Sequence, residues 1–319
     1  MNSVDMTVPR HRPFRTARAA FEIGLKPMPP ETWLETGPDH AAFMAAKRAR
    51  LDGLPPLFYG ALPSSRPAQA ELLALAAAHL ARDHAGHFTA GQGRLCDHID
   101  GSRHALSGDE PLAILGRIVE EDFILIDRVD GADIITAASN AYTTSGRIVS
   151  SVGRSMRFAH EFVPGLNEEL GARIDRVLAN VQAGTPVVRF NWVLTTIADR
   201  LFPEGAHDAN VEASVRAAVE LERDYRVAGE RLWIRVERQT FMRLPQTRAL
   251  AFGIHTYSHP LSSLAGDMEC LAALRRLIGE YSEDRLRYSA MLAIKTPILR
   301  WLEERLASAG EPLHAAASI

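Results

Sequence analysis

The sequence is short of the features that mark several large classes of protein. It has only two cysteines, Cys96 and Cys270, which lie far apart and form neither a metal-binding nor a redox motif. No run approaches the roughly 20 apolar residues that a membrane span needs. The formal net charge of -3 gives no basic excess for nucleic acid. We therefore expect a cytoplasmic protein that binds neither membranes nor nucleic acid.

Motifs for common cofactors and nucleophiles are also missing. There is no glycine-rich phosphate loop and no Gly-x-Ser-x-Gly elbow, which argues against nucleotide transfer and esterase activity. Nothing resembles a flavin, iron–sulfur or nicotinamide site, so a redox reaction would receive its electrons from a separate protein. The 319 residues, 46% of them hydrophobic, are nonetheless ample for a large buried core.

Proline and glycine divide the chain into segments. Residues 1–65 are rich in proline, and we expect an irregular N-terminal arm there. Residues 66–310 are predicted to form the main domain, and residues 311–319 a tail. Residues 86–108 are polar and interrupted by glycine, so the prediction for them is a loop.

Hydrophobic periodicity predicts five strands and four helices. The strands are predicted near residues 120–126, 132–137, 187–195, 232–242 and 249–257. The helices are predicted at residues 68–82, after Asn167 as N-cap, at 269–281, and at 284–306 with a bend at Pro297. Strands with helices between and around them indicate an α+β fold with a mainly antiparallel sheet.

The most informative stretch is 232–257, which we interpret as two strands joined by a short turn. In the first strand, Leu232, Ile234 and Val236 point one way. The side chains that point the other way are Trp233, Arg235, Glu237, Gln239 and Phe241. Charged groups on a covered surface are costly unless they pair with each other or hold a ligand. On the pattern alone, a ligand-binding face and a plain solvated face are about equally favoured.

This stretch carries a family resemblance. Arg-Val-Glu-Arg-Gln-Thr-Phe-Met-Arg-Leu-Pro at 235–245, followed by Phe-Gly-Ile-His-Thr-Tyr-Ser-His-Pro-Leu at 252–261, resembles the signature of the haem-dependent oxidative N-demethylase α-subunit family. Other stretches that fit in the same order are Pro13-Phe14, Gly24–Pro27, Trp33, Ile118–Ile126, Phe158–Gly165 and Arg189–Trp192. The similarity extends from about Pro13 to about Trp301.

The resemblance implies a PAS-like sheet that holds haem b and is elaborated by extra helices. It also implies an oxygen-activating enzyme that removes an alkyl group oxidatively from a small amine. Molecular oxygen would be the second substrate, and a reductase subunit or protein would supply electrons. Two alternatives stay open: a haem-binding sensor or carrier without turnover, and a haem-free structural or ligand-binding subunit.

Three residues are candidates for holding the cofactor. His160 matches a family histidine in front of Val-Pro-Gly, so the resemblance implies that it is the proximal iron ligand. Without that match, a loop histidine that satisfies a carbonyl would be favoured. Arg189 and Asn191 share the polar face of their strand; arginine suits a propionate, and an amide suits a bound diatomic or a polar substrate group. Solvated edge residues are an equal alternative for this pair.

Glu237, Arg235 and Tyr257 are the predicted catalytic residues. A buried Glu237 would neutralise an alkylammonium substrate, while Arg235 would keep the carboxylate ionised or anchor a propionate. Tyr257 would donate a hydrogen bond to bound oxygen or close the pocket. Arg238 and Arg243 are further candidates for cofactor binding, with structural ion pairing as the alternative.

The chain departs from the family pattern at residues 141–151. The family usually shows Cys-Phe-Pro-Ser-x-Trp and then a Glu-Lys pair, where this chain has Ala-Tyr-Thr-Thr-Ser-Gly, ending at Gly146, and then Ser150-Ser151. The spacing to Gly153 is kept. A missing aromatic leaves space that would admit a larger substrate, and it is equally compatible with loss of the family's activity. The resemblance therefore does not specify which amine is used.

Overall fold

A computed structural model describes residues 9–18, 23–53, 55–141, 148–161, 163, 165–201 and 206–310. Its strands are β1 (Lys26–Pro27), β2 (Tyr59–Ala61), β3 (Phe88–Gly91), β4 (Arg94–Asp97), β5 (Arg103–Ala105), β6 (Asp122–Val129), β7 (Ala132–Ser139), β8 (Val187–Thr195), β9 (Trp233–Arg243) and β10 (Leu250–Pro260). Its helices are α1 (His40–Gly53), α2 (Pro55–Phe58), α3 (Arg66–Asp83), α4 (Pro111–Gly116), α5 (Met156–Ala159), α6 (Leu166–Ala179), α7 (Ala206–Arg223), α8 (Ala228–Arg231), α9 (Met268–Glu280), α10 (Glu283–Tyr288) and α11 (Lys295–Gly310).

Seven strands form one antiparallel sheet in the order β1-β8-β9-β10-β6-β7-β2. The fold is therefore α+β with a large antiparallel sheet and flanking helices, as predicted. The five long strands, β6 to β10, begin and end within three residues of their predicted limits. Within the described residues, no helix is both long and apolar enough to span a membrane.

The proline-rich segment before residue 66 supplies the strand at each edge of this sheet. Strand β1 pairs with β8 at one edge, and β2 pairs with β7 at the other. The proposed boundary at residue 65 stays a prediction, and the predicted tail at 311–319 lies outside the described residues.

Three local predictions are wrong. Residues 40–53 form helix α1 where we expected irregular structure, because the prolines lie on either side of the helix rather than inside it. Residues 88–105 form a three-stranded sheet instead of a loop, since Gln92 and Gly93 both have positive φ and make a tight hairpin turn. The helix predicted over 284–306 is two helices, and Pro297 lies in the first turn of α11, where proline is tolerated.

Alternation along the strands gives the large sheet two faces, and the strand register decides which residues share one. The front face carries Arg189 and Asn191 of β8 together with Glu237 and Gln239 of β9; Asn191 pairs with Glu237, and Arg189 with Gln239. An apolar cluster joins this face to α5 and α6. Helix α3 and α4 cover one end of the back face, and helices α7 to α11 pack on the apolar cluster at the other end.

A buried lysine fixes the chain where α4 leads into β6. The side chain of Lys47 is fully buried, and its Nζ lies 3.1, 3.2 and 2.8 Å from the carbonyl oxygens of Val119, Glu120 and Glu121. The same Nζ lies 3.1 Å from Oδ1 of Asp122, which is also fully buried. Removal of one partner of such a pair leaves an uncompensated charge in the core.

We therefore predict that Lys47→Met lowers the free energy of unfolding by about 3–5 kcal/mol in a urea titration. Lys295→Met is the matched control, because Lys295 is partly exposed and its Nζ lies 3.4 Å from the carbonyl oxygen of Gly279, a long contact. Its effect should stay within about 0.5 kcal/mol. The double variant Lys47→Met/Asp122→Asn should recover part of the loss. A stability of Lys47→Met equal to that of the control would show that the buried pair contributes nothing.

Candidate functional site

Polar side chains converge on the front face where β8 and β9 pair. The amide Nε2 of Gln239 donates to Oε2 of Glu237 at 3.0 Å, and Nδ2 of Asn191 reaches the same oxygen at 3.4 Å. Both donors come from the front face because the residues at i and i+2 of a strand point the same way. Two amides therefore hold the Glu237 carboxylate in one orientation on a half-buried surface.

Arg189 lies next to this group, also on the front face. Burial lowers the pKa of its guanidinium, and the negative charge of Glu237 opposes that shift. Its Nε atom is buried and has no hydrogen-bond partner among the described residues. A buried donor without an acceptor costs roughly 1–3 kcal/mol, so Arg189 is suited to an anionic ligand that would complete it.

His160 approaches the same place from the covering layer. It caps the C-terminal end of α5, whose residues Met156 and Ala159 pack on the front-face cluster. Burial lowers the pKa of His160, and the positive charge of Arg189 lowers it further. The imidazole is therefore neutral at pH 7, which is the form that binds a metal ion. The structure thus brings together His160, Arg189, Asn191 and Glu237.

Apolar rings continue the front face beside these polar groups. Phe241 of β9 and Phe252 of β10 stack with 4.3 Å between ring centroids and planes 10° apart. They belong to the cluster that contains Met156 and Leu178 from the covering helices. An apolar patch next to a neutral histidine and a half-buried cation suits an apolar group with an anionic edge.

The other predicted arginines bind backbone carbonyls. Arg235 shares the front face, but it is 1% exposed and its Nη1 donates to the carbonyl oxygen of Arg200 at 3.0 Å. Arg243 donates to the carbonyl oxygens of Leu178, Val181 and Arg248, at 2.7, 3.2 and 2.8 Å. It ties the C-terminal end of α6 to the β9–β10 hairpin.

Arg238 and Tyr257 lie on the back face of the sheet, so the expected role of Tyr257 in the pocket of Glu237 is corrected, and Arg238 takes the ion-pairing alternative. Thr256 is the residue that pairs with Glu237, so Tyr257 pairs with Val236 and points to the opposite side of the sheet. The Tyr257 phenol donates to Glu35, and burial raises its pKa, as does the charge of Glu35. Arg238 pairs with Glu35 at 3.3 Å and donates to the carbonyl of Trp33 at 3.1 Å.

These two residues belong to a buried ionic network that the sequence analysis misses. His255 lies 3.1 Å from Glu121 and 3.5 Å from Glu120, and the same Glu120 accepts from Arg200 at 2.6 Å. His40 then joins Glu120 to Asp97, at 2.9 and 2.8 Å. The network connects the N-terminal segment, the small sheet and the back of the large sheet.

One group in this network has the composition of a metal site. Ligand atoms of His40, Asp97 and Asp100 lie within 4.8 Å of one another. Both ring nitrogens of His40 already face carboxylates, and Asp100 accepts from Nη1 of Arg48 at 2.6 Å. The arginine and the occupied nitrogens favour an ion-pair cluster over a metal centre.

The network makes the free energy of unfolding depend on pH in the acid range. Burial opposes the ionisation of Glu35, but hydrogen bonds from His11 and Tyr257 and the charge of Arg238 outweigh burial and lower its pKa from 4.5 to about 2. Because the folded-state pKa is the lower one, Glu35 stabilises the fold above pH 4.5, and this contribution is lost as the pH falls towards 2.

We predict that Glu35→Gln flattens the acid limb of the stability curve. Between pH 5 and pH 2 the wild type should lose about 3 kcal/mol more free energy of unfolding than the variant, the equivalent of the pKa shift of Glu35. The exposed Glu31, one helical turn earlier in the chain, gives the control variant Glu31→Gln, which should follow the wild-type curve. Parallel acid limbs for the wild type and Glu35→Gln would contradict the assignment.

The segment that departs from the family pattern, residues 141–151, lies partly outside the described residues. Gly146, where the family has a tryptophan, lies outside the described residues, and Ser151 is buried. Tyr288, at the end of α10, is 38% exposed. Partial burial raises its pKa and the charge of Glu237 raises it further, so the phenol lies within electrostatic range of the front-face site.

The family model for "Haem-dependent oxidative N-demethylase, alpha subunit-like" matches residues 24–299. The chain belongs to this family. The match includes His160, Arg189, Asn191 and Glu237, together with the elements that hold them. The description indicates that the family depends on haem, carries out oxidative chemistry and assembles with a further subunit.

Proposed function

We propose that this protein is a cytoplasmic, haem-dependent, oxygen-activating oxidoreductase that removes an alkyl group from a small amine. The observation that carries the proposal is the front-face site. A neutral histidine, an oriented carboxylate and a half-buried arginine lie together there under α5 and α6, and the buried Nε of the arginine has no hydrogen-bond partner among the described residues. Membership of a haem-dependent oxidative N-demethylase family supports the same reaction class.

The residues of the site fit haem b. His160 offers a neutral imidazole, the commonest protein donor to haem iron. Arg189 presents a buried donor without an acceptor, which a propionate would satisfy. Phe241 and Phe252 add a buried apolar patch beside these groups, which suits the apolar body of a porphyrin. We further propose that β6 to β10 with α5 and α6 form the predicted PAS-like unit; a continuous antiparallel sheet with one face covered by helices supports this.

Haem, when bound, supplies the activation of oxygen. In the overall reaction the amine, O₂, two electrons and two protons give the dealkylated amine, an aldehyde and water, and the electrons come from a separate reductase. Glu237 holds the ammonium group of the arriving substrate through its negative charge. Asn191 and Gln239 keep the carboxylate in one orientation, so that the alkyl group is presented in a constant position.

Absorption spectroscopy tests the cofactor assignment. The wild type should show a Soret band that shifts on reduction with dithionite and again with carbon monoxide. His160→Ala should lose this spectrum or show altered ligation, because no other residue of the site offers an imidazole. The exposed His87 gives the control variant His87→Ala, whose spectrum should match the wild type. A colourless wild type that takes up no added haem would end the proposal, and normal ligation in His160→Ala would end the ligand assignment.

The role of Glu237 is tested by Glu237→Gln, which keeps the shape of the side chain and removes its charge. We predict that the dissociation constant for an alkylamine rises at least about tenfold, because a charge-assisted contact is worth roughly 1.5–3 kcal/mol. Haem affinity should stay within about twofold. The measurement is an amine titration of the haem-loaded protein, followed by the Soret shift. Equal losses of haem and amine affinity would show that Glu237 is a scaffold residue.

A further inference from the structure

A cleft opens where the edge of the large sheet meets the C-terminal end of α6. Its volume is about 350 Å³, at the lower end of the range for small-molecule sites. The lining residues are Leu25, Lys26, Pro27, Arg176, Val177, Asn180, Val181, Gln182, Thr185 and Val187. The floor is mostly apolar, and the charged residues at the cleft, Lys26 and Arg176, are both cationic. None of the described lining residues is acidic, so the cleft suits an apolar group that carries negative charge.

The cleft is continuous with the front-face site. Val181 and Val187 belong to the apolar cluster that contains Phe241 and Phe252. Along β8, Val187, Arg189 and Asn191 point to the same face, and each step of two residues is about 6.6 Å. Asn191 pairs with Glu237, so the carboxylate lies about two such steps, or roughly 13 Å, from the cleft along the strand.

Charge therefore changes sign along the front face. Arg176 and Lys26 border the cleft, Arg189 comes next, and Glu237 lies at the far end. An ammonium group is disfavoured at the cationic end and favoured at the anionic end, and the reverse holds for a carboxylate. The cationic end therefore favours a carboxylate, such as a haem propionate, and the anionic end favours the ammonium group of the amine.

The C-terminal end of α6 would by itself disfavour an anion, because the last carbonyl groups of a helix carry partial negative charge. Arg243 offsets this effect, because its guanidinium donates hydrogen bonds to the carbonyl oxygens of Leu178 and Val181. Nδ2 of Asn180 donates a hydrogen bond to the carbonyl oxygen of Arg176 at 2.7 Å. Arg243 thus contributes to the cleft through the backbone, without lining it.

We infer that this cleft receives the propionate-bearing edge of the haem, with Lys26 and Arg176 at its rim and Arg189 further in as the cationic partners. The inference rests on the proposed function and adds the orientation of the cofactor. The two propionates lie at the open edge of the sheet, and the opposite edge of the ring points towards Glu237 and Tyr288. The amine then enters at the end of the face remote from the cleft.

Titration of the apo-protein with haem and with haem dimethyl ester tests this directly, since the ester keeps the porphyrin and removes both negative charges. The Soret band reports both dissociation constants without turnover. The wild type should bind haem about five- to thirtyfold more tightly than the ester, because the ester loses the ion pairs of both propionates. In the double variant Lys26→Gln/Arg176→Gln, the preference for haem over the ester should fall several-fold, because Arg189 is then the remaining cationic partner of the proposed set. The control is Arg173→Gln, an exposed arginine of α6 that does not line the cleft.

The outcomes separate the inference from the function on which it rests. An undiminished preference for haem over the ester in the double variant overturns the inference and leaves the haem enzyme standing. A wild type that binds neither compound removes both. A preference that falls in the double variant and also in Arg173→Gln would reflect overall charge, and it too would overturn the specific role of the cleft.

Discussion

Arg189 and Glu237 share a face of the sheet only because β8 and β9 pair in one particular register. Asn191 is opposite Glu237 and Arg189 is opposite Gln239, so cation, amides and carboxylate form one continuous group. A slip of one residue would turn one strand's polar side chains to the back face, where apolar clusters pack. The register of β9 with β10 separately aligns Phe241 with Phe252. The cation, amide and carboxylate contacts depend on the first register, and the apolar patch depends on the second.

A buried ionic network on the back face holds the neighbouring part of the sheet in place. Glu35, Glu120, Glu121, Asp97, His40, His255, Arg200 and Arg238 form a buried ionic network that links the N-terminal segment to β6, β9 and β10. Burial of so many charges is tolerated because each carboxylate meets a cation or a hydrogen-bond donor. Lys47 adds a further restraint where β6 begins. Because the opposite face fixes the strands, the front face can tolerate the buried Nε of Arg189, which has no acceptor among the described residues.

Much of the fold could be predicted from local pattern, and the site only in part. Strict alternation of polar and apolar residues predicts β8 and β9. It also predicts which side chains of each strand share a face: Arg189 with Asn191, and Glu237 with Gln239. Tyr257 was misplaced because the pairing of β9 with β10 depends on the turn between them, where Leu244 donates to the carbonyl of Ala249; alternation within one strand contains no information about it. Glu35 meets Arg238 and Tyr257, and Tyr288 comes near Glu237, from more than 50 residues away, and no local signal indicates such contacts.

An experimental structure of the haem-loaded protein would show directly whether the front face is the haem site. We predict that the iron lies within bonding distance of a ring nitrogen of His160, that the porphyrin covers the front face over Phe241, and that its propionates point to Arg189. Iron bound by a different residue, or haem placed on the back face near His255 and Tyr257, would contradict the assignment of the front face as the site.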